Sequence, residues 1–150
     1  TRAAVTEVLE ELPDGSMNII VEGGDRFRLL ELGHARSFTT AVVEEIIDDD
    51  DPVDETEADR AFELFGRLAE TAGAEVDPPA RDSPLLDFEL AARVDFGTEA
   101  KQELLASISP RERMTRLVSL LETALETVRL ERELQERASG NGKVSPLGSE

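Results

Sequence analysis

The sequence predicts an α+β protein, in which an antiparallel β-meander is followed by a helical lobe that ends in a long helix. Three observations lead to this prediction. A Leu-Pro-Asp-Gly turn at residues 12–15 separates two runs in which apolar and polar side chains alternate. A run of four aspartates at residues 48–51 then ends the alternation. Beyond it, apolar residues recur every three or four positions, which is the spacing of one helix face.

The first 46 residues are predicted to form four strands. Asp-Gly between alternating β-formers indicates a hairpin, because glycine accepts the positive φ of a tight turn. A second turn at residues 23–25 leads into the third strand, and residues 37–46 form a long fourth strand. A slip of one residue would turn the apolar side chains to water, so the alternation predicts one buried face on each strand. The β-branched or large apolar side chains of these strands include Val5, Val8, Ile19, Val21, Phe27 and Leu29.

The helices have recognisable starts. Asp54 lies three residues before Glu57, which is a capping-box arrangement. Ser83 and Thr98 are predicted caps of two shorter helices. Ser109, followed by proline and then glutamate at the third position, is the clearest start in the chain. The helix that begins there is expected to reach residue 137, a length of roughly 40 Å at the rise of an α-helix.

Apolar stripes on two of these helices predict the core. The stripe on the first helix consists of Ala61, Phe62, Leu64, Phe65, Leu68 and Ala69, and Gly73 ends that helix. The stripe on the last helix consists of Met114, Leu117, Val118, Leu121, Leu125 and Val128. Charged residues dominate the last helix after Val128, so its end is expected to project from the domain.

The predicted organisation has four parts. Residues 1–47 form a β subdomain, and residues 48–53 form an acidic linker in which adjacent carboxylates repel one another. Residues 54–138 form a helical subdomain. Residues 139–150, which are rich in glycine and contain a proline, are expected to be a disordered tail.

Composition excludes several classes of function. The formal charge of −18 and the lack of a contiguous basic patch argue against binding to nucleic acid or to an anionic membrane surface. The chain has no cysteine, so it forms no disulfide or thiolate metal site, and this fits a cytoplasmic location. The simplest interpretation of the negative charge is that it keeps the protein soluble. The scarcity of lysine indicates either a GC-rich genome or adaptation to high salt.

No catalytic, metal-binding or cofactor-binding residue is predicted. The single histidine, His34, lies near Ser37 but is better interpreted as a surface residue. The aspartates around residue 50 lack the spacing of a calcium loop, since proline and valine occupy its middle. A Gly-Asn-Gly-Lys run at residues 140–143 neither follows a strand nor opens a helix, as a phosphate loop would.

Arg26, Phe27 and Arg28 are the candidate peptide-binding residues. In the functional interpretation, the two arginines form a polar rim around an apolar contact with a client peptide. In the structural interpretation, which we favour, they pair across strands with Glu22 and other acids.

Several motifs carry a resemblance to a known family. They are the Leu-Pro-Asp-Gly turn at 12–15, Val-Glu-Gly at 21–23, Arg-Phe-Arg at 26–28, Lys-Gln-Glu-Leu-Leu at 101–105 and Arg-Glu-Arg-Met at 111–114. Together they resemble the hairpin and the helical half of the Lon-protease amino-terminal (substrate-binding, PUA-like) domain. The family's first strands would precede Thr1, so we expect an incomplete barrel or a strand edge covered by another copy.

The resemblance implies a non-enzymatic protein-binding domain, without the ATPase and protease modules of Lon. Such a domain recognises unfolded proteins or exposed apolar segments of client proteins and needs no cofactor. The alternative is a structural or self-association module that forms a homodimer through the long C-terminal helix.

Overall fold

The structure, a computed structural model, describes residues 1–34 and 37–141, with side chains as far as Ala138. The chain divides into a β unit, Thr1–Asp49, and a helical unit that begins at Asp50. The elements are β1 (Ala3–Glu11), β2 (Met17–Gly23), β3 (Phe27–Gly33), β4 (Thr40–Glu45), α1 (Glu55–Ala72), α2 (Leu86–Arg93), α3 (Gly97–Ala106) and α4 (Pro110–Asn141). This order confirms the predicted α+β class. The last helix includes residues 139–141, and the rest of the predicted tail lies outside the described residues.

The turn between β1 and β2 confirms the first hairpin. Leu12 N donates to Ser16 O over 2.8 Å, and Gly15 N donates to Leu12 O over 2.9 Å. Gly15 has a φ of 84°, in the left-handed region that glycine occupies without strain. The Ser16 hydroxyl and then the Ser16 N–H donate to Asp14 Oδ1, which lowers the pKa of Asp14.

The strands form two antiparallel sheets in the described part of the chain, each with two strands. β1 pairs with β2, and β3 pairs with β4. No closed barrel forms among the described residues, which confirms the predicted incomplete barrel. β4 is shorter than the predicted strand at 37–46, because Thr40 already pairs with Gly33, the last residue of β3.

The predicted buried face of the strands is wrong for the described β unit. Every residue of β1 and β2 is exposed, and those of β3 and β4 are exposed or half-buried. Alternation determines which side chains share a face, but burial requires a second layer packed on that face. Register shifts between Val5 and Glu7 and between Val8 and Glu10 also interrupt the alternation.

The helical unit has the hydrophobic core, and α1 packs against α4 to form most of it. The two predicted stripes are confirmed, except that Phe62, Ala69 and Val128 are only half-buried. α2 and α3 add further buried side chains to this core. The buried apolar residues are Ala61, Leu64, Phe65, Leu68, Leu86, Leu90, Ala91, Leu104, Met114, Leu117, Val118, Leu121 and Leu125.

The caps of the two longest helices agree with the sequence. The Asp54 side chain accepts from Thr56 N at the start of α1, and Gly73 ends α1 with a φ of 68°. The Ser109 hydroxyl oxygen accepts from Glu112 N over 3.0 Å at the start of α4. Each bond satisfies one of the N–H groups that a helix leaves unpaired in its first turn.

The predicted caps of the two shorter helices are wrong. α2 begins at Leu86, and Ser83 instead accepts from Leu85 N over 3.2 Å in the preceding turn. α3 begins at Gly97, one residue before the predicted cap Thr98. Asp95 Oδ1 accepts from Gly97 N over 3.0 Å at that start. Each pattern correctly located a helix, but the preceding turn decided its first residue.

The acidic segment near residue 50 is bonded at both ends. Asp48 forms an ion pair with Arg26 in the β unit. Within the helical unit, Asp51 accepts from Arg111 Nε over 2.8 Å and from Ser109 Oγ over 2.7 Å. The Arg111 bond, followed by the Ser109 bond, lowers the pKa of Asp51. These bonds connect the start of the helical unit to the first turn of α4.

Low pH is expected to weaken the cap of α1. The Thr56 hydroxyl, followed by the Thr56 N–H, lowers the pKa of Asp54 below 3.8. The stabilisation is therefore complete above pH 3.8 and is lost as the pH falls through the lower, folded-state pKa. Asp54→Asn retains an accepting oxygen but does not titrate. We expect the wild-type advantage over this variant in urea denaturation to shrink below about pH 4. Asp82→Asn, at an exposed turn residue, is the matched control.

Candidate functional site

The structure places Arg26, Phe27 and Arg28 side by side at the start of β3. Arg26 forms an ion pair with Asp48, and both side chains are partly buried. Its carbonyl oxygen accepts from Ile46 N over 3.0 Å. Arg26 therefore joins β3 to the segment that follows β4.

Arg28 and Phe27 both face residues of β4 across the ladder. Arg28 pairs in register with Glu44, and its NH1 lies 3.5 Å from Glu44 Oε2. Phe27 is half-buried and pairs in register with Glu45. Asp48 and Glu44 are therefore among the acids that pair with the two arginines. The peptide-binding role of these three residues stays a prediction.

The helical unit contains a second candidate surface, an open groove with a volume of about 470 Å³. It is lined by the end of α1 with the residues just after it, by the middle of α4, and by the last residue of α2 with the segment that leads to α3. Its large side chains are Phe65, Leu68, Val76, Val94, Phe96, Leu120 and Val128. Its small side chains are Ala69, Ala72, Ala74 and Ala124, which leave room between the larger ones. This groove has the size and the mainly apolar lining of a binding site.

The polar lining residues of the groove are Arg93, Asp95, Thr123 and Thr127. The two threonine hydroxyls donate to the carbonyls of Ser119 and Thr123 on their own helix, each over 2.9 Å. Arg93 donates through Nε to Asp77 O over 3.0 Å and through NH1 to Glu89 O over 2.7 Å. The arrangement can bind an apolar group, and it holds no nucleophile beside a base.

The groove could not be predicted from the sequence, because its lining comes from three segments that are far apart along the chain. The alanines of α1 and α4 are placed at helical spacing, and Ala69 was predicted only as core. Small residues at intermediate positions of an apolar stripe were the available signal. Such small residues indicate a groove between helices only when the helix that packs against them is known.

A buried ion pair lies elsewhere in the helical unit. Arg113 Nε lies 2.5 Å from Asp87 Oδ2, and the guanidinium carbon lies 4.1 Å from the centre of the Phe88 ring. Arg113 NH1 also donates to Ser107 O over 2.9 Å. These contacts join α2 and the α3–α4 connection to α4, so we assign the pair a structural role.

The remaining chemical candidates form no site in the structure. His34 is exposed in the segment after β3. Within residues 1–34 and 37–141, no cluster of three or more His, Cys, Asp or Glu residues is arranged to hold a metal ion. The Gly-Asn-Gly-Lys run at 140–143 extends beyond the described residues. No helix in the described part of the chain is long and apolar enough to cross a bilayer.

Comparisons with known proteins identify the family of this chain. The family model described as the ATP-dependent protease La (LON) substrate-binding domain matches residues 1–123. Lon protease 1 of Hydrogenovibrio crunogenus is 26% identical over 137 residues, covering 86% of this chain and 17% of the relative. Lon protease of Clostridioides difficile is 29% identical over 139 residues, covering 83% of this chain and 17% of the relative. The chain thus spans less than a fifth of these relatives' length. Because the family model covers most of the chain, this protein belongs to the Lon substrate-binding domain family.

Proposed function

We propose that this domain is a non-enzymatic module that binds exposed apolar segments of unfolded client proteins. The observation that carries the proposal is the groove of about 470 Å³ in the helical unit. Its lining is apolar apart from Arg93, Asp95 and the two threonines. Membership of a substrate-binding family supports a protein as the ligand. The absence of cysteine from the sequence supports a cytoplasmic location.

The groove favours apolar side chains over polar ones for a physical reason. Apolar surface gains roughly 25 cal/mol for each Å² removed from water, whereas an unpaired polar group pays for its lost hydration. The threonine hydroxyls already donate to carbonyls of α4. Folded proteins bury most of their large apolar side chains, so an unfolded chain presents many more ligands to the groove.

The β unit is proposed to add a second, weaker contact. Strands pair through main-chain hydrogen bonds, so an extended client segment can add to an open edge. Phe27 and Arg28 begin β3, whose partner among the described residues is β4, and Arg26 directly precedes β3. Phe27 would supply apolar contact and the arginines a polar rim. We place this contact second because both arginines already have carboxylate partners.

The direct test compares one model protein in two states. Its unfolded form is made by reducing the disulfides and alkylating them with iodoacetamide, which adds no charge. We expect the domain to bind this form and to bind the native form far more weakly, as measured by isothermal titration calorimetry. Equal affinity for the two forms, or no binding to either, would reject client recognition.

A charge in the groove is expected to abolish most of this binding. Ala72→Glu introduces a carboxylate at the last residue of α1, where Ala72 lines the groove. We expect affinity for the unfolded protein to fall about tenfold or more, because the carboxylate remains hydrated and occupies the apolar surface.

The matched control is Ala92→Glu. Ala92 is also an exposed alanine near the end of a helix, but it does not line the groove. Both variants therefore add one charge next to a helix C-terminus. An equal loss of affinity in the two variants would assign the effect to net charge and not to the groove.

Self-association through α4 is a second candidate function. Leu130 and Leu134 lie four residues apart near its end and are 52% and 63% exposed. That spacing places them on one face of the helix, where a second copy could pack. We expect sedimentation velocity over a concentration series to show a dimer that the double variant Leu130→Ser, Leu134→Ser removes. A wild-type chain that remains monomeric at the highest concentration would exclude this candidate.

A further inference from the structure

Arg93 is the only arginine among the described residues that line the groove. Several arginines of the described chain, among them Arg60, Arg81 and Arg116, pair with carboxylates. Arg67, Arg129 and Arg132 lie in no ion pair among the described residues, but none of them lines the groove. Arg93 lies in no ion pair among the residues that the structure describes. The chain has 34 acidic residues against 16 basic ones, and Arg93 nevertheless places a positive charge at a mainly apolar groove.

Main-chain carbonyls hold the Arg93 side chain in position. Its Nε donates to Asp77 O, and its NH1 donates to Glu89 O one turn earlier in α2. A guanidinium has five N–H donors, and these two bonds leave others available without neutralising the positive charge. The Glu89 bond also contributes to the end of α2, where a cation is favourable. Asp95, the acidic lining residue, accepts from Gly97 N instead.

We propose that the groove binds the carboxyl-terminal end of an apolar chain, with the terminal carboxylate paired to the Arg93 guanidinium. The inference rests on the proposed function. It specifies that apolar segments at the carboxyl terminus of a client bind to the groove more tightly than other apolar segments. An apolar lining with one oriented guanidinium is complementary to a chain end that combines apolar side chains with one carboxylate. A planar guanidinium can bond both oxygens of a carboxylate at once.

The overall charge of the chain and the proposed Arg93 contact predict opposite results. The overall charge favours a ligand without a carboxylate, whereas the Arg93 contact favours a ligand with one. A net charge of −18 repels a carboxylate, so a ligand without that group would bind better if only the overall charge mattered. Repulsion from acids more than about 8 Å away is largely screened at physiological salt, whereas a direct contact with Arg93 is screened much less. A preference for the carboxylate therefore indicates a local positive group.

The experiment uses the hexapeptide Gly-Ser-Gly-Ala-Leu-Phe with either a free carboxylate or a carboxamide at its C-terminus. We expect the full chain to bind the free acid about fivefold more tightly, which is the size expected for a partly exposed ion pair. NMR titration measures both affinities. The salt concentration is about 0.15 M, at which the screening length is about 8 Å. Arg93→Gln should weaken binding of the acid to the level of the amide and leave the amide unchanged.

Arg67→Gln is the matched control. Arg67 is exposed on α1 and does not line the groove. Its substitution by glutamine removes one positive charge, as Arg93→Gln does. We expect this variant to keep the preference for the acid. A wild-type chain that binds both peptides equally, or the amide more tightly, overturns the inference without any variant. So does a preference that persists in Arg93→Gln.

The outcomes separate this inference from the proposed function. If the unfolded protein binds but the acid peptide has no advantage, the carboxylate preference is wrong and client binding stands. If neither the peptides nor the unfolded protein bind, the proposed function fails and the inference fails with it.

Discussion

Asp87→Ala is expected to lower the free energy of unfolding of the helical unit by about 3–5 kcal/mol. Asp87 and Arg113 are only 5% and 3% exposed, and their side chains lie 2.5 Å apart. Removing the carboxylate breaks the ion pair with Asp87 while the guanidinium charge stays buried. Breaking one side of a buried pair costs much more than the pair contributes when intact. Urea denaturation followed by circular dichroism at the helix band measures the loss.

Two further variants test the reason for that loss. Glu122→Ala breaks the exposed pair of Glu122 with Arg60 and should cost less than about 1 kcal/mol. The double variant Asp87→Ala, Arg113→Met removes both charges and should recover a large part of the stability. A double variant that is as unstable as Asp87→Ala alone would show that lost packing, rather than the orphaned charge, dominates. The Arg113 contact with the Phe88 ring is the packing that would then matter.

Leu121→Ala is expected to cost about 2–5 kcal/mol. Leu121 is completely buried on α4, in the core that α4 forms with α1. The substitution loses the transfer free energy of the removed carbons and leaves a cavity that the helices fill only in part. The same urea denaturation measures the change. The expected result is a lower midpoint with an unchanged slope, which indicates lost stability without a change in the surface exposed on unfolding.

Leu134→Ala is the control for the same substitution on the same helix. Leu134 is 63% exposed near the end of α4. Its truncation should change the stability of the isolated chain by no more than about 0.5 kcal/mol. If both leucines cost the same, the core assigned to the helical unit would be wrong. If Leu134→Ala alone is strongly destabilising, Leu134 is covered in solution, and the self-association candidate gains support.

Local chemistry accounts for the parts of the fold that were predicted correctly. Asp14-Gly15 makes a hairpin because its turn depends on the φ of Gly15 and on bonds within residues 12–16. Ser109 starts α4 because its hydroxyl oxygen needs only the N–H of Glu112 three residues later. The apolar stripe of α4 follows from the helical repeat alone. Each of these features is decided by residues that are close in the sequence.

Features that join distant segments were not predictable in the same way. The alternation of β1 and β2 correctly located strands, but their exposure depends on which layers pack against them. The acid that pairs with Arg28 is Glu44, which the strand register selects. The chain offers many carboxylates as partners for each arginine, and the sequence alone does not choose among them.

The sequence by itself determined the order of strands and helices, the first turn, the starts of α1 and α4 and the two main core stripes. Only the tertiary structure decided the groove, the Arg113–Asp87 pair and the unpaired charge of Arg93. The physical reason is the separation along the chain of the residues that interact. Caps, turns and helical periodicity are set by neighbours along the chain, whereas a cavity or an ion pair exists only where separate elements meet in space.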